Sequence, residues 1–449
     1  MTKSSRRRFL QSSAAGAALV SATGAQTSKP PSANDKLQIA LIGCGGMGHA
    51  DLESALATGQ TEIVAAADVY QGRLDAMKEQ FGAQVFTSRD YREILARKDV
   101  DYVIVATPDH WHQRISVDAM NAGKDVYVEK PMVQQISQGK AMIDAQTKTK
   151  RILQVGSQRV SSVVYAKAGE LVRAGSIGKF NMIEAWWDRN SAIGAWQYSI
   201  PPDATPENID WDTFIGSAPK RGFEPIRLFR WRNYRDYGTG VTGDLFVHLF
   251  SGMHAITGAI GPTRVYATGG LRYWKDGRDV PDVMLGLFDY PETKNHPAFN
   301  LMLRVNFVDG SGGSHTFRFI GDEGILTVNP GDVTLQRQPK ESEPGYTINT
   351  FAKATQEKFL EDYRKKYPQQ RASADAMRPK TIERFPQPAG YSDHRDHHRV
   401  FVEAVRSRKP VVEDAVFGFR AAGPALLCNM SYFDKKIIQW DPEKMEIVG

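Results

Sequence analysis

The chain has 449 residues, 41% hydrophobic and 24% charged, with a formal net charge of +6 at neutral pH. That length exceeds what one hydrophobic core usually serves, so two folded domains are expected, and the composition is that of an ordinary globular protein. Lys3, Arg6, Arg7 and Arg8 carry four of the net positive charges within the first 25 residues, and elsewhere basic and acidic residues are interspersed, which argues against a nucleic-acid partner.

Those first residues read as an export signal. Ser5-Arg6-Arg7-Arg8-Phe9-Leu10-Gln11 resembles the twin-arginine motif, and an Ala-rich stretch from Ala14 to Ala22 follows, too short and mild to span a bilayer permanently. Thr23-Gly24-Ala25 offers small residues for cleavage. The expectation is a signal peptide over 1–25, a linker over 26–36, a periplasmic destination and no integral membrane segment after processing. Of the two cysteines, Cys44 lies in a glycine loop where a crosslink would distort the backbone, so Cys44 and Cys428 are expected as free thiols with no cysteine metal site.

From Leu37 to Val155 short apolar runs alternate with amphipathic stretches, the pattern of βαβ units in a doubly wound parallel sheet. Strands are expected at Leu37 to Ile42, Glu62 to Ala67, Tyr102 to Ala106, Asp125 to Val128 and Ile152 to Val155, with helices such as Arg73 to Phe81 and Trp111 to Ala122 between them. The first domain is thus set at 37–157 and the second at 158–449. The second carries strand-like runs at Phe180 to Trp187, Asp282 to Tyr290, Phe299 to Phe307, His315 to Ile320 and Gly324 to Val328, suggesting a mostly antiparallel sheet in an α+β domain. A polar segment from Gln338 to Ser392, with one amphipathic helix from Thr350 to Tyr367, reads as a surface excursion without chemistry, and helices at Arg395 to Arg408 and near Phe417 to Tyr432 close the chain.

Gly43-Cys44-Gly45-Gly46-Met47-Gly48 follows an expected strand, opens an expected helix, and precedes Asp68 at the end of the next strand by 20 residues. In that context the glycine string is a dinucleotide fingerprint: Gly43 permits the tight turn, Gly45 lets the backbone approach a pyrophosphate, and Gly48 lets helix and strand pack closely. Asp68 would accept the adenosine ribose hydroxyls and repel a 2′-phosphate, favouring NAD over NADP. Arg73, five residues on, keeps NADP in view as the less favoured cofactor.

After the fourth strand stands Ala106-Thr107-Pro108-Asp109-His110-Trp111-His112, and after the fifth Glu129-Lys130-Pro131. Together with the glycine loop, these motifs resemble the Gfo/Idh/MocA family, which includes glucose-fructose oxidoreductases and inositol dehydrogenases. The resemblance implies a cofactor site that adds Gly46, Met47, Thr107, Pro108, His112, Glu129 and Lys130 to the loop glycines, Asp68 and Arg73. It also implies a catalytic Lys130, two residues past a strand end where ligands of open α/β sheets lie, and whose charge would stabilise a developing alkoxide.

Gly243-Asp244-Leu245-Phe246-Val247-His248 resembles the family's Asp-x-x-x-His element. The i, i+4 spacing puts both side chains on one helix face, so Asp244 is expected to orient the His248 imidazole, and His248 to act as general base with a pKa near neutrality. Ser251 departs from the family, which commonly has another Asp three residues past the His. His254, on a different helix face, is expected to be structural, with no metal set around it. Upstream, Trp231, Arg232 and Tyr237, with Trp187 and Arg189 at a strand end, mix rings and guanidinium groups as carbohydrate sites do.

The resemblance implies an NAD-dependent oxidoreductase acting on a sugar, polyol or glycoside, and the signal segment implies that it is exported. Export to a compartment without free NAD implies a tightly held cofactor regenerated in place. Paired oxidation and reduction of two sugars meets that constraint, and so does redox-neutral glycoside cleavage by transient oxidation and elimination. A non-catalytic sugar sensor of the same fold is a third reading, and a homo-oligomer is expected from the family's open second sheet.

Overall fold

The computed structural model describes residues 36–338, 347–368 and 382–449. The expected signal segment, the linker up to residue 35 and parts of the polar excursion lie outside the described residues.

The first half runs β1 (Leu37–Ile42), α1 (Gly46–Leu56), β2 (Thr61–Ala67), α2 (Gln71–Phe81), β3 (Phe86–Ser88), α3 (Tyr91–Ala96), β4 (Tyr102–Val105), α4 (Asp109–Asn121), β5 (Asp125–Val128), α5 (Ile136–Thr149) and β6 (Leu153–Val155). The six strands pair in parallel in the order β3-β2-β1-β4-β5-β6. Helices cover both faces, which is why β4 and β5 are buried at every position and read as continuous apolar runs rather than alternating ones. The strand order reverses between β1 and β4, so the carboxyl ends of these two strands open the crevice where a doubly wound sheet takes its ligand. Here the expected strands stand within a residue of their predicted limits. Three-residue β3 and short α3 carry no apolar run long enough to be read from the sequence.

The second half begins with α6 (Val163–Arg173), started by the Ser162 side chain accepting from the Val164 amide, and β7 (Phe180–Trp187). Short helices α7 (Trp211–Ile215) and α8 (Pro225–Phe229) precede a π-helical turn, Thr242–Phe246, that runs into α9 (Val247–Thr257). Then come β8 (Arg264–Gly270), β9 (Val283–Tyr290), β10 (Phe299–Asn306), β11 (His315–Gly321), β12 (Gly324–Val328), β13 (Asp332–Arg337), α10 (Lys353–Lys366) and β14 (Ile382–Pro386). α11 (Asp393–Ser407), α12 (Ala415–Asp434), β15 (Ile438–Asp441) and β16 (Glu446–Ile447) follow. The strands form one sheet in the order β14-β13-β12-β11-β7-β10-β9-β8-β15-β16, antiparallel throughout except where β10 pairs with β7. It is twice as wide as the five expected runs.

Two segments tie the halves together. α11 and the chain after it return to the first sheet: Phe401, Val402 and Val405 share a core with Leu37, Ile39, Leu52 and Tyr102, and the Val155 amide donates to the Glu413 carbonyl at 2.9 Å. Residues 196–237 fold as a roof over the crevice. The Asp210 amide donates to the Val69 carbonyl at 2.9 Å, and the Gln71 amide to that of Asn208 at 2.8 Å. Tyr70 donates its hydroxyl to Asp203 at 2.6 Å, and Trp111 Nε1 donates to the Phe214 carbonyl at 3.0 Å. Aromatic and aliphatic side chains of the roof, including Ile209, Phe214, Leu228 and Phe229, bury against Tyr70.

Candidate functional site

Beneath the roof lies a cavity of about 590 Å³ that runs from the glycine loop to the second sheet. Gly43, Gly45, Gly46 and Met47 line one end with Asp68 and Arg73. Gly43 has φ +95°, and a Cβ there would stand 2.6 Å from the Ala106 backbone. Gly48 is behind the loop rather than in the cavity wall: a Cβ on it would meet the Gly43 carbonyl oxygen at 2.1 Å, so its part is to let α1 close on β1. Nothing stands within 4 Å of a Cβ built on Gly46, leaving room for a phosphate at the α1 N-terminus.

Asp68 is fixed before any ligand arrives. Its Oδ2 accepts from the Cys44 amide at 2.8 Å and its Oδ1 from the Tyr70 amide at 3.0 Å, while Arg73 Nη1 lies 3.3 Å from Oδ2. Arg73 is therefore engaged by the carboxylate that would repel a 2′-phosphate, and the carboxylate oxygens suit it to accept from the ribose hydroxyls of NAD. Cys44 and Cys428 are both free and buried, and burial together with Asp68 pushes the Cys44 thiol well up, so it stays protonated.

Thr107 and Pro108 line the cavity. His112 does not. It is buried behind them, with Nδ1 2.8 Å from the Pro131 carbonyl and Nε2 2.7 Å from that of Thr107, so it joins the two loops that follow β4 and β5. Asp109 makes a link of the same kind across the domains, accepting from the Thr239 amide at 2.9 Å and hydroxyl at 2.7 Å.

The other end of the cavity gathers Lys130, Trp187, Arg189, Trp231, Arg232, Asp244 and His248. Lys130 Nζ donates to Asp244 Oδ1 at 2.9 Å and to its carbonyl at 3.2 Å, and Arg232 Nε donates to the same Oδ1 at 3.0 Å. Burial would raise the Asp244 carboxyl, but Lys130, Arg232 and Arg189 outweigh it and hold the group well below the carboxylate range. The expected orientation of His248 by Asp244 is therefore corrected: two cations outcompete a neutral ring for the carboxylate. His248 instead lies over Trp187, ring centroids 4.9 Å apart, and its buried Nδ1 has no hydrogen-bond partner. Burial first, then the Lys130 charge, push the imidazole well below its usual range, not near neutrality as expected. Ser251 donates to the His248 carbonyl at 3.2 Å, and His254 hydrogen-bonds the Tyr290 hydroxyl at 2.9 Å inside the core.

Tyr237 does not reach the cavity. It is fully buried under the roof, packed on Phe214 with centroids 4.7 Å apart, because the turn after α8 points its ring into the inter-domain core.

Several residues at the site were not singled out in the sequence. Gln158 and Arg159 follow the carboxyl end of β6, a position that strand-end reasoning could have flagged. Gln158 Nε2 donates to Glu129 Oε1 at 2.7 Å, the Tyr127 hydroxyl at 3.1 Å and Asp51 Oδ1 at 3.3 Å. Burial raises Asp51 to about 8 and pushes Glu129 well above the usual carboxylate range. A charged residue on the inner face of α1 was the available signal for Asp51. Among the described residues no group of three or more His, Cys, Asp or Glu is placed to hold a metal ion, and no helix is long and apolar enough to cross a membrane.

Residues 37–157 match the profile of the Gfo/Idh/MocA oxidoreductase family, described as an NAD-binding Rossmann fold. An inositol 2-dehydrogenase of Salmonella paratyphi B is 27% identical over 205 residues, covering 45% of this chain and 56% of the relative. A glycosyl hydrolase family 109 protein of Shewanella baltica is 30% identical over 125 residues, 26% of this chain and 27% of that protein. The chain thus spans about half the length, or less, of these curated relatives. Two solved structures share the fold across both domains. Levoglucosan dehydrogenase in complex with NADH and levoglucosan has a TM-score of 0.61 at 18% identity, over 90% of this chain and 99% of that one. The scyllo-inositol dehydrogenase of Lactobacillus casei has a TM-score of 0.60 at 18% identity, over 90% and 98%. Residues 37–157 are therefore similar to the NAD-binding Rossmann domain of the Gfo/Idh/MocA oxidoreductase family, and the fold of both domains is that of the solved dehydrogenases.

Proposed function

We propose that the chain is an NAD-dependent oxidoreductase that acts on a sugar, polyol or glycoside by hydride transfer, is exported by the twin-arginine route, and keeps its cofactor bound through successive turnovers. The observation that carries this reading is the continuity of one cavity from the glycine loop and Asp68 to Lys130, Asp244 and His248. NAD, when bound, supplies the hydride acceptor and, on the return step, the donor. His248, kept neutral by burial, takes the proton of the reacting hydroxyl. The Lys130 ammonium, held by Asp244, faces the oxygen on which negative charge develops. Trp187, stacked on His315 and against His248, holds the imidazole of His248 in the cavity wall.

The roof of residues 196–237 supports cofactor retention. It is held to the Val69–Gln71 segment, next to Asp68, by backbone and side-chain hydrogen bonds, and it covers a dinucleotide lying along Asp68.

The likeness to family 109 glycosyl hydrolases favours one second reading, redox-neutral cleavage of a glycoside through transient oxidation. Mass spectrometry of the purified protein tests retention, with copurifying NAD expected. Incubation with glycosides and no added NAD separates the chemistries: released aglycone indicates cleavage, and paired oxidised and reduced sugars indicate a two-sugar oxidoreductase. Absence of all three results, with no reduction of added NAD by any sugar, overturns the enzymatic reading and leaves a sugar sensor.

A further inference from the structure

The substrate end of the cavity is lined by Lys130, Arg159, Arg189 and Arg232. Opposite these four cations, among the described lining residues there, stand two carboxyl groups, Asp244 and Glu129, and Glu129 is taken up by Gln158 at 2.7 Å. Asp244 is already shared by Lys130 and Arg232. Arg189 is left with one acceptor, the Gly194 carbonyl at 2.8 Å, and its guanidinium sits over the Phe307 ring at 5.6 Å. Among the described residues no carboxylate makes a close ion pair with it, and Asp244 acts on it only as a more distant charge. Arg159 has a single loose ionic contact, Asp393 at 3.8 Å, and lies 5.5 Å from the Trp187 ring centroid.

Guanidinium groups on a largely buried wall with fewer counter-charges than cations carry a desolvation cost and repel one another, and an arriving anion lessens both costs. Their fork of N–H donors matches a carboxylate or an ester of sulfuric acid. The pyrophosphate of a dinucleotide does not meet this need, because it is served by the glycine loop and the α1 N-terminus, whereas both arginines belong to the wall that holds Trp187 and His248. A neutral polyol would leave the charge excess in place.

We infer that the substrate is an acidic sugar, whose anionic substituent is bound by Arg189 and Arg159 while its reacting hydroxyl is turned toward His248 and Lys130. This rests on the sugar-oxidoreductase reading above and narrows its substrate class. Arg189 and Arg159 are then specificity determinants.

Calorimetric titration of the protein as purified tests this with three probes, methyl β-glucuronide, methyl β-glucoside 6-sulfate and methyl β-glucoside, each also in the galacto configuration. At least one anionic probe is expected to bind about 10- to 100-fold more tightly than its neutral counterpart, with a preference that declines as salt rises. The carboxylate and sulfate arms tell the two anions apart. Arg189→Gln should level the preference and Arg189→Lys restore part of it; Arg159→Gln gives a second reading should Arg189→Gln misfold. Equal affinity for neutral and anionic probes, failure of every anionic probe to bind, or a preference that survives both variants overturns the inference. The near-ultraviolet absorbance of reduced nicotinamide is recorded in the same samples. A tightly bound acidic sugar without that signal upholds the charge preference and counts against hydride transfer, so the two ideas fail separately.

Discussion

Lys130 and Arg232, which come from different domains, both donate to one oxygen of Asp244, at 2.9 and 3.0 Å. The three groups are largely buried, so removing the carboxylate strands two cations. Asp244→Asn is expected to destabilise the fold by about 3–5 kcal/mol and to lower turnover as Lys130 loses its anchor. Chemical denaturation checks the first effect. The double variant Asp244→Asn/Lys130→Met should regain part of the stability but no activity, a coupling that a simple packing defect would not produce.

The unpartnered ring nitrogen of His248 defines a second expectation. His248→Ala and Lys130→Ala should each reduce kcat by about 10²- to 10⁴-fold, measured on the sugar that gives the best rate. Because burial and Lys130 hold the imidazole neutral, no loss of rate from His248 protonation is expected as pH falls through the neutral range; an acid limb centred on the usual histidine value would contradict its environment.

Protonated carboxyls inside the fold give stability a definite sign against pH. Burial raises Asp51 to about 8 and Asp109 to about 7, above their values in the unfolded chain. Over the interval between unfolded and folded values the native state binds more protons, so their contribution is full at acid pH and declines as pH climbs through the neutral range. His110 and His112, held at about 4 by burial, act oppositely and favour the native state less as pH falls below the usual histidine value. Stability should therefore pass through a maximum in mildly acid solution. Asp51→Asn should flatten the alkaline side of a Tm–pH curve, and an unchanged slope would show that Asp51 is ionised in the native protein.

At the glycine loop the cost is steric. A Cβ at position 48 would lie 2.1 Å from the Gly43 carbonyl oxygen, so Gly48→Ala must shift either α1 or the loop. The expected result is purified protein with its NAD content reduced about tenfold or more, read by mass spectrometry, while Gly46→Ala, whose methyl group meets no protein atom, should leave the thermal stability of the cofactor-free protein unchanged.

Cofactor choice should follow the Asp68–Arg73 pair. Asp68→Ala frees the Arg73 guanidinium and removes the acceptor for ribose hydroxyls, so the NAD/NADP affinity ratio should fall by about tenfold or more in fluorescence titrations. Arg73→Ala alone should leave NAD binding nearly as it was and weaken NADP further.

The first sheet was legible because burial on both faces writes itself as unbroken apolar runs, as in Tyr102–Val105. β8 escaped because Arg264–Gly270 alternates charged, small and apolar residues and ends in two glycines, and only its register with β9 makes it a strand. At the site, residues attached to strand ends and the glycine loop could be read locally. The partner of Asp244 could not, since i, i+4 spacing points to His248 while the stronger ligand, Lys130, lies 114 positions away in sequence. Tyr237 was misjudged for a related reason: an aromatic among arginines looks alike whether it faces a sugar or, as here, fills the space under a roof.

The return of α11 to the first sheet also sets a timetable for biosynthesis. Phe401, Val402 and Val405 complete the core around Leu37, Ile39 and Tyr102, so the nucleotide-binding half is left with an open apolar face until some 250 further residues have left the ribosome. Cofactor capture then belongs to the last stage of folding, after translation of nearly the whole polypeptide, and a nascent chain halted after β6 would be a client for chaperones rather than a binder of NAD.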